Sequence, residues 1–159
     1  MELIWWNQRE IEMNHFSRLL TAASICLMAA IPFTNSASAG VLRVEIGGFV
    51  EITGKVMIAV FDDAEHFLSK SGGAVKKLRA KVTGAEMSVT IADLPPGQYG
   101  ISIYHDENGN GELDTNFLGI PKEPYGFSNN ARGFAGPRKF DATLITVTEQ
   151  ETTISIDLE

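Results

Sequence analysis

Apolar and polar residues alternate along most of the chain after residue 40. Such alternation places every second side chain on one face, as in a half-buried β-strand. Seven runs of this kind are separated mainly by glycine and proline: 42–46, 55–61, 75–82, 87–91, 99–105, 142–147 and 154–158. The run at 75–82 is lysine-rich and has the weakest alternation, which suits an exposed edge strand. Strands do not alternate with helices. The pattern predicts an all-β fold, an antiparallel β-sandwich of about seven strands, immunoglobulin- or transthyretin-like.

Two connections are informative. Residues 63–69 suggest one short helix. The sequence Leu94-Pro95-Pro96-Gly97 predicts a sharp turn between two strands, because proline fixes φ and glycine accepts a positive φ.

The first 39 residues follow a different pattern. An apolar run at 19–33 comes after Arg18, and an Ala-x-Ala pattern ends at Ala39. A basic start, an apolar stretch and small residues at a cleavage site are typical of a secretory signal peptide. We expect residues 1–39 to be an N-terminal extension and signal peptide, with translation starting at Met13 and cleavage after Ala39.

The predicted export signal sets the expected compartment of the remaining chain. Residues 40–159 are expected to form a single β-sandwich domain in the periplasm or outside the cell, with no membrane span. The only cysteine, Cys26, falls in the predicted signal peptide, so disulfides and thiolate sites are excluded from the domain. The net charge of −7 argues against nucleic acid as a partner.

Residues 105–140 show no sustained period but are rich in aromatic side chains, which predicts a long ordered loop. The loop opens with oxygen-bearing residues at alternate positions and glycine at the sixth, as in calcium-binding loops: Asp106, Asn108, Asn110, Glu112 and Asp114. The twelfth position is Phe117 instead of glutamate, so weak Ca²⁺ binding is expected. The alternative is a network of Asn-Gly turns without an ion.

The second part of the loop is basic and aromatic. With the preceding histidine it forms a candidate ligand or partner surface: His105, Lys122, Tyr125, Phe127, Asn129, Asn130 and Arg132. The alternative is that these aromatic side chains hold the loop against the sandwich.

Long stretches of this loop resemble the family called domain of unknown function 2141. The residues that carry the resemblance are 105–111, 113–123 and 125–131, together with the turn at 94–99, and it extends over 42–158. The resemblance implies a small exported bacterial protein, a β-sandwich and no known catalytic residues.

The sequence therefore favours an exported, non-catalytic module that binds an unknown small molecule or an envelope protein through residues 105–140. A periplasmic hydrolase using His105 and Ser128 is an alternative, although no nucleophile-elbow pattern surrounds the serine. An accessory subunit of an envelope complex is another.

Overall fold

A computed structural model describes residues 39–69, 72–132 and 138–159. The predicted start at Met13 and the apolar run of the predicted signal peptide lie outside these ranges and stay predictions. The elements, in chain order, are β1 (Gly40–Gly47), β2 (Lys55–Phe61), β3 (Lys76–Lys81), β4 (Met87–Leu94), β5 (Gly97–Asp106), β6 (Tyr125–Phe127), a 3₁₀ turn (Ser128–Asn130), α1 (Phe140–Thr143), β7 (Leu144–Val147) and β8 (Thr152–Asp157).

The strands form two sheets, which confirms the predicted all-β sandwich. One sheet has the order β4-β1-β8, and the other has the order β3-β2-β5-β6 with β7 also paired to β5. The described ranges contain eight strands instead of about seven. The additional strand is β6, a three-residue segment of the long loop that is too short to show an alternating pattern.

One strand pairing departs from the predicted antiparallel arrangement. β1 pairs with β8 in parallel, with Leu42 opposite Thr152 and Gly47 opposite Asp157. Its pairing with β4 is antiparallel. Parallel neighbours need a long crossover between them, and here nearly the whole domain separates the two strands in sequence.

The alternating positions of the strands build the core. Val56, Ile58 and Val60 of β2 are buried, and Ile101 and Ile103 of β5 lie beside them. Side chains from both sheets belong to one hydrophobic cluster. Burial of such side chains contributes roughly 1.5–3 kcal/mol each, so the alternation seen in the sequence identifies the main stabilising surface.

The predicted helix at 63–69 is wrong. The segment forms turns instead, and Leu68 has φ +60°, which a right-handed helix does not accommodate. Asp63 Oδ1 accepts a hydrogen bond from the His66 backbone N–H at 2.8 Å, so it caps a turn that is not continued. The strand predicted at 142–147 is also shorter than expected: it begins at Leu144 as β7, because α1 occupies residues 142 and 143.

The register of β2 and β5 determines which loops share an end of the sandwich. Lys55, the first residue of β2, pairs with Asp106, the last residue of β5. The β1–β2 connection at 48–54 and the long loop that begins after Asp106 therefore meet, and we call this the loop end. No helix in the described ranges is long and apolar enough to cross a membrane.

Candidate functional site

The long loop begins by wrapping around a carboxylate. Asp106 Oδ1 accepts the N–H of Gly109 at 2.8 Å, and its Oδ2 accepts the N–H of Gly111 at 3.0 Å. Both glycines have positive φ, +78° and +82°, a conformation that other residues rarely adopt. Asp106 is itself almost fully buried at the strand end. The two glycines of the motif thus let the backbone fold over the Asp106 side chain.

The two asparagines extend the same arrangement. Asn108 Oδ1 accepts the N–H of Asn110 at 2.9 Å, and Asn110 Oδ1 accepts the N–H of Glu112 at 2.8 Å. Their side-chain nitrogens both donate to the Asp114 carboxylate, at 2.6 and 3.2 Å. Asn108, Asn110 and Asp114 therefore meet directly. An amide or carboxylate oxygen has two lone pairs, so each turn oxygen keeps one that a cation can use.

The sequence analysis missed Glu123, which completes the loop. Its side chain is buried, with Oε1 accepting the N–H of Glu107 at 3.1 Å and Oε2 accepting the N–H of Asp114 at 2.9 Å. The N–H of Lys122 also donates to the Asp114 carbonyl at 2.8 Å. Glu123 lies outside the alternating motif, and its distance along the sequence from that motif does not predict that the two are in contact. One carboxylate thus joins the beginning and the end of the acidic segment.

Tyr104 connects the segment to the sheet. Its hydroxyl donates to the Gly111 carbonyl at 2.9 Å. Burial raises the pKa of Tyr104 above its usual value of 10.0, and the nearby negative charges of Asp106, Glu123 and Glu112 raise it further. The pKa of the Tyr104 phenol therefore depends on the charge of the loop.

A cation here would need more than carboxylates and imidazoles. In the ranges that the structure describes, no group of three or more histidine, aspartate or glutamate side chains could hold a metal ion. Asparagine amides and backbone carbonyls would have to complete the shell. Glu112 is exposed, and its position in the motif calls for its backbone carbonyl rather than its carboxylate.

His105 and Ser128 are both buried and bonded elsewhere. His105 Nε2 donates to the Thr53 carbonyl at 2.8 Å, and Nδ1 lies 3.6 Å from Glu107 Oε1 without a hydrogen-bond partner among the described residues. The ring packs edge-on against Phe49. Ser128 Oγ donates to the Thr143 carbonyl and accepts the Ile101 N–H. The structure does not bring the two side chains together as a nucleophile and its base.

The two asparagines of the candidate surface bind backbone. Asn129 Nδ2 donates to the Leu144 carbonyl at 2.8 Å, and Asn130 Oδ1 accepts the Asp157 N–H at 2.8 Å. Both residues have positive φ, which asparagine tolerates better than most residues. Their polar groups hold the 3₁₀ turn against β7 and β8.

The aromatic residues of this surface pack inward. Tyr125 is half-buried and Phe127 is buried. The Arg138 guanidinium lies over both rings, 5.4 Å from the Tyr125 centroid and 5.5 Å from the Phe127 centroid. Arg138 also pairs with Glu159. This arrangement corresponds to the alternative in which the aromatics hold the loop against the sandwich.

Lys122 and Arg132 are the exposed cations of the candidate surface. The Arg132 side chain is 3.5 Å from Glu159. A pair this exposed contributes about 0–1 kcal/mol, so the guanidinium is still available to an anion.

Comparison with known families gives one result. Residues 44–155 match the family described as an uncharacterised protein conserved in bacteria, DUF2141. No curated protein and no solved structure matches the chain.

Proposed function

Because the chain belongs to the bacterial family DUF2141, whose description assigns no activity, we propose a function from the loop itself: an exported, non-catalytic binding module in which the segment 106–114 binds Ca²⁺. The predicted signal peptide supports export. Binding follows from the oxygen atoms of the loop.

The observation that supports Ca²⁺ best is the preorganised set of turn oxygens. The side-chain oxygens of Asp106, Asn108 and Asn110 each accept a backbone N–H and keep a free lone pair. Asp114 already contacts both asparagine amides. Calcium takes about six to eight oxygens from carboxylates, amides, carbonyls and water. A bound ion would replace the two amide–carboxylate hydrogen bonds and draw in the Glu112 carbonyl.

The expected affinity is low. Two of the side-chain ligands are neutral asparagines, and the buried carboxylate of Glu123 is already used by two backbone N–H groups. Sites of few charges in extracellular modules bind Ca²⁺ with Kd on the order of 10⁻⁴–10⁻³ M. Occupancy would then follow the external calcium concentration.

Non-catalytic action is supported by the burial of the two candidate catalytic groups. Ser128 and His105 are fully buried. A general base must reach the proton that it removes, directly or through one water. Both side chains instead bond structural groups.

Calorimetric titration of chelator-treated protein with Ca²⁺ tests the proposal. We expect saturable heat and a higher melting temperature, because a ligand that binds only the folded state stabilises it. Asp106→Asn and Asp114→Asn should each weaken binding by about tenfold or more, since each removes a charged ligand of similar shape. Glu149→Gln, in the exposed β7–β8 connection, removes one charge elsewhere and should leave binding unchanged.

Wild-type protein that gives neither heat nor a change in melting temperature would contradict the calcium proposal. The segment would then be a turn network held by its own hydrogen bonds.

A further inference from the structure

The outer face of the larger sheet carries an unbalanced row of cations. Three basic side chains alternate along β3 and are exposed: Lys77, Arg79 and Lys81. The residues opposite them on β2 are not acidic, and the last is a fourth exposed cation: Ala59, Met57 and Lys55. In the described ranges the ion pairs involve neither β2 nor β3. The four charges are therefore not neutralised within that part of the chain.

The position of Lys55 indicates more than protection of a sheet edge. Lysine on an edge strand commonly blocks unwanted edge-to-edge pairing, and β3 is an edge strand. Lys55, however, belongs to β2, which lies between β3 and β5. It stands directly opposite Lys81, and like charges in directly opposite positions destabilise a sheet. An anionic partner at this face would relieve the repulsion.

Backbone groups of the same three β3 residues point to the open edge. Among the described residues β3 pairs with β2 alone. The Val82 N–H donates to the Gly54 carbonyl at 3.3 Å, and successive residues of an antiparallel strand direct their backbone groups to alternate sides. Residues 78 and 80 therefore bond β2, whereas the N–H and C=O groups of residues 77, 79 and 81 face away from it. A strand that adds to β3 would meet both these groups and the cations.

The two sides of the sandwich are closed to different degrees. On one side, Tyr125 of β6 and Glu159, which follows β8, exchange two backbone hydrogen bonds at 3.2 and 3.0 Å. On the other side, Lys76 of β3 donates its Nζ to the Ala92 carbonyl of β4, and no backbone hydrogen bond joins these strands among the described residues. Partly buried apolar side chains face inward here: Leu78, Ala80, Met87 and Val89. An added strand with apolar inward-facing residues would cover them.

From these observations we propose that the open edge of β3 binds an extended acidic segment of a partner protein by strand addition. Acidic side chains at alternate positions of the segment pair with Lys77, Arg79 and Lys81, and the apolar side chains between them cover the inward-facing residues. Backbone hydrogen bonds provide affinity in this mode of recognition, and the alternate side chains provide specificity. The proposal is independent of the calcium site.

A peptide strand fits this edge better than another polyanion or a second copy of the chain. A polysaccharide or a nucleic acid matches the positive charges but offers no ladder of N–H and C=O groups at strand spacing. Two β3 edges would bring their own cations together, which disfavours pairing of two copies. An acidic strand with alternating apolar residues satisfies the charges, the backbone groups and the apolar side chains together.

Titration with a synthetic peptide, followed by NMR of the backbone amides, tests the proposal. The probe is the blocked peptide Ser-Glu-Val-Glu-Val-Glu-Val-Ser. We expect saturable shifts of the β3 amides and slower hydrogen exchange at Lys77, Arg79 and Lys81, because their N–H groups gain partners. Binding should weaken as salt is added, since exposed charges are screened.

Two further peptides separate charge from alternation. A peptide with lysine in place of glutamate should not bind, because its charges meet those of β3. The order Ser-Glu-Glu-Glu-Val-Val-Val-Ser keeps the composition and the charge but loses the alternation. It should bind at least about fivefold more weakly, because successive strand residues point to opposite faces and its glutamates do not all reach the cations.

A double variant locates the binding on β3. Arg79→Gln/Lys81→Gln should bind the alternating acidic peptide about fivefold more weakly, because two cross-strand charge pairs are lost. Its fold should be retained, since both positions are exposed and the repulsion between Lys55 and Lys81 is removed. Arg43→Gln/Lys139→Gln is the matched control, because it removes one arginine and one lysine at exposed positions outside β2 and β3. It should bind like the wild type.

Each contrary result has a separate meaning. Absence of β3 shifts with the alternating acidic peptide overturns the proposal, and the cations then protect the edge. Equal binding of the rearranged peptide, or unchanged amide exchange despite binding, replaces strand addition by general polyanion binding. Equal weakening in the two double variants attributes the binding to net charge and overturns its location on β3.

Discussion

At the residue scale, the pKa of Tyr104 reports the charge of the acidic segment. Its pKa is raised by burial first and then by the charges of Asp106, Glu123 and Glu112. A raised pKa in the folded state favours the neutral phenol. The stability this provides is present below pH 10 and is lost as the pH rises from there through the folded pKa.

Calcium bound at 106–114 should lower the pKa of Tyr104 toward 10.0, because the ion neutralises the charges that oppose ionisation. The measurement is phenolate absorbance against pH, taken as the difference between the wild type and Tyr104→Phe, with and without Ca²⁺. An unchanged Tyr104 titration at saturating Ca²⁺ would mean that the ion binds elsewhere.

At the element scale, Glu123 joins the beginning and the end of the acidic segment through two hydrogen bonds. Glu123→Gln leaves one oxygen and puts an N–H₂ group against a backbone donor, so one of the two hydrogen bonds is lost. Loss of a partner for a buried polar group costs about 1–3 kcal/mol. Urea unfolding should show this decrease in the free energy of unfolding.

Glu112→Gln is the matched control for that measurement. It makes the same chemical change on an exposed side chain of the same loop, and surface changes of this kind are usually within about 0.5 kcal/mol. Equal unfolding free energies for the two variants would show that Glu123 does not hold the loop together.

The alternating oxygen motif predicted the turn structure of the loop but not its closure. The spacing from Asp106 to Asp114, with glycine at the bend, follows from local backbone geometry, which a sequence displays. Glu123 comes after the turn at residues 116–120, and its contact with Glu107 and Asp114 depends on the path of the chain in space. His105 differs from Glu123, because its burial could be read from the sequence: it continues the inward-facing row of Ile101 and Ile103. Its imidazole nevertheless suggested a functional site.

At the scale of the whole molecule, Asn130 joins the two sheets. The 3₁₀ turn follows β6 of the larger sheet, and Asn130 Oδ1 accepts the N–H of Asp157 in β8 of the smaller one. Asn130→Ala removes the acceptor and places alanine at φ +47°, which should lower the free energy of unfolding by about 1–3 kcal/mol.

Asn130→Asp is the control for this position. It keeps an acceptor oxygen and tolerates the left-handed conformation, so thermal unfolding should be closer to that of the wild type. If both variants unfold alike, the hydrogen bond to Asp157 does not contribute to holding the sheets.

The strands of the core were predictable, and one of their pairings was not. Alternation at 42–46 and 55–61 identified buried strands, because burial on one face leaves a local pattern. The direction of β8 beside β1 leaves no such local pattern, since a parallel and an antiparallel β8 would bury the same face of the strand. The segment 63–69 shows a third limit: it resembled a helix, but it forms turns, and Leu68 has a positive φ that a right-handed helix does not accommodate.

The parallel pairing of β1 and β8 delays completion of the smaller sheet until residues 152–157 have been synthesised. β1 is central in that sheet, and one of its two neighbours is formed by residues 152–157. β1 therefore lacks one of its two neighbours until residues 152–157 are available, and contacts so distant in sequence form slowly.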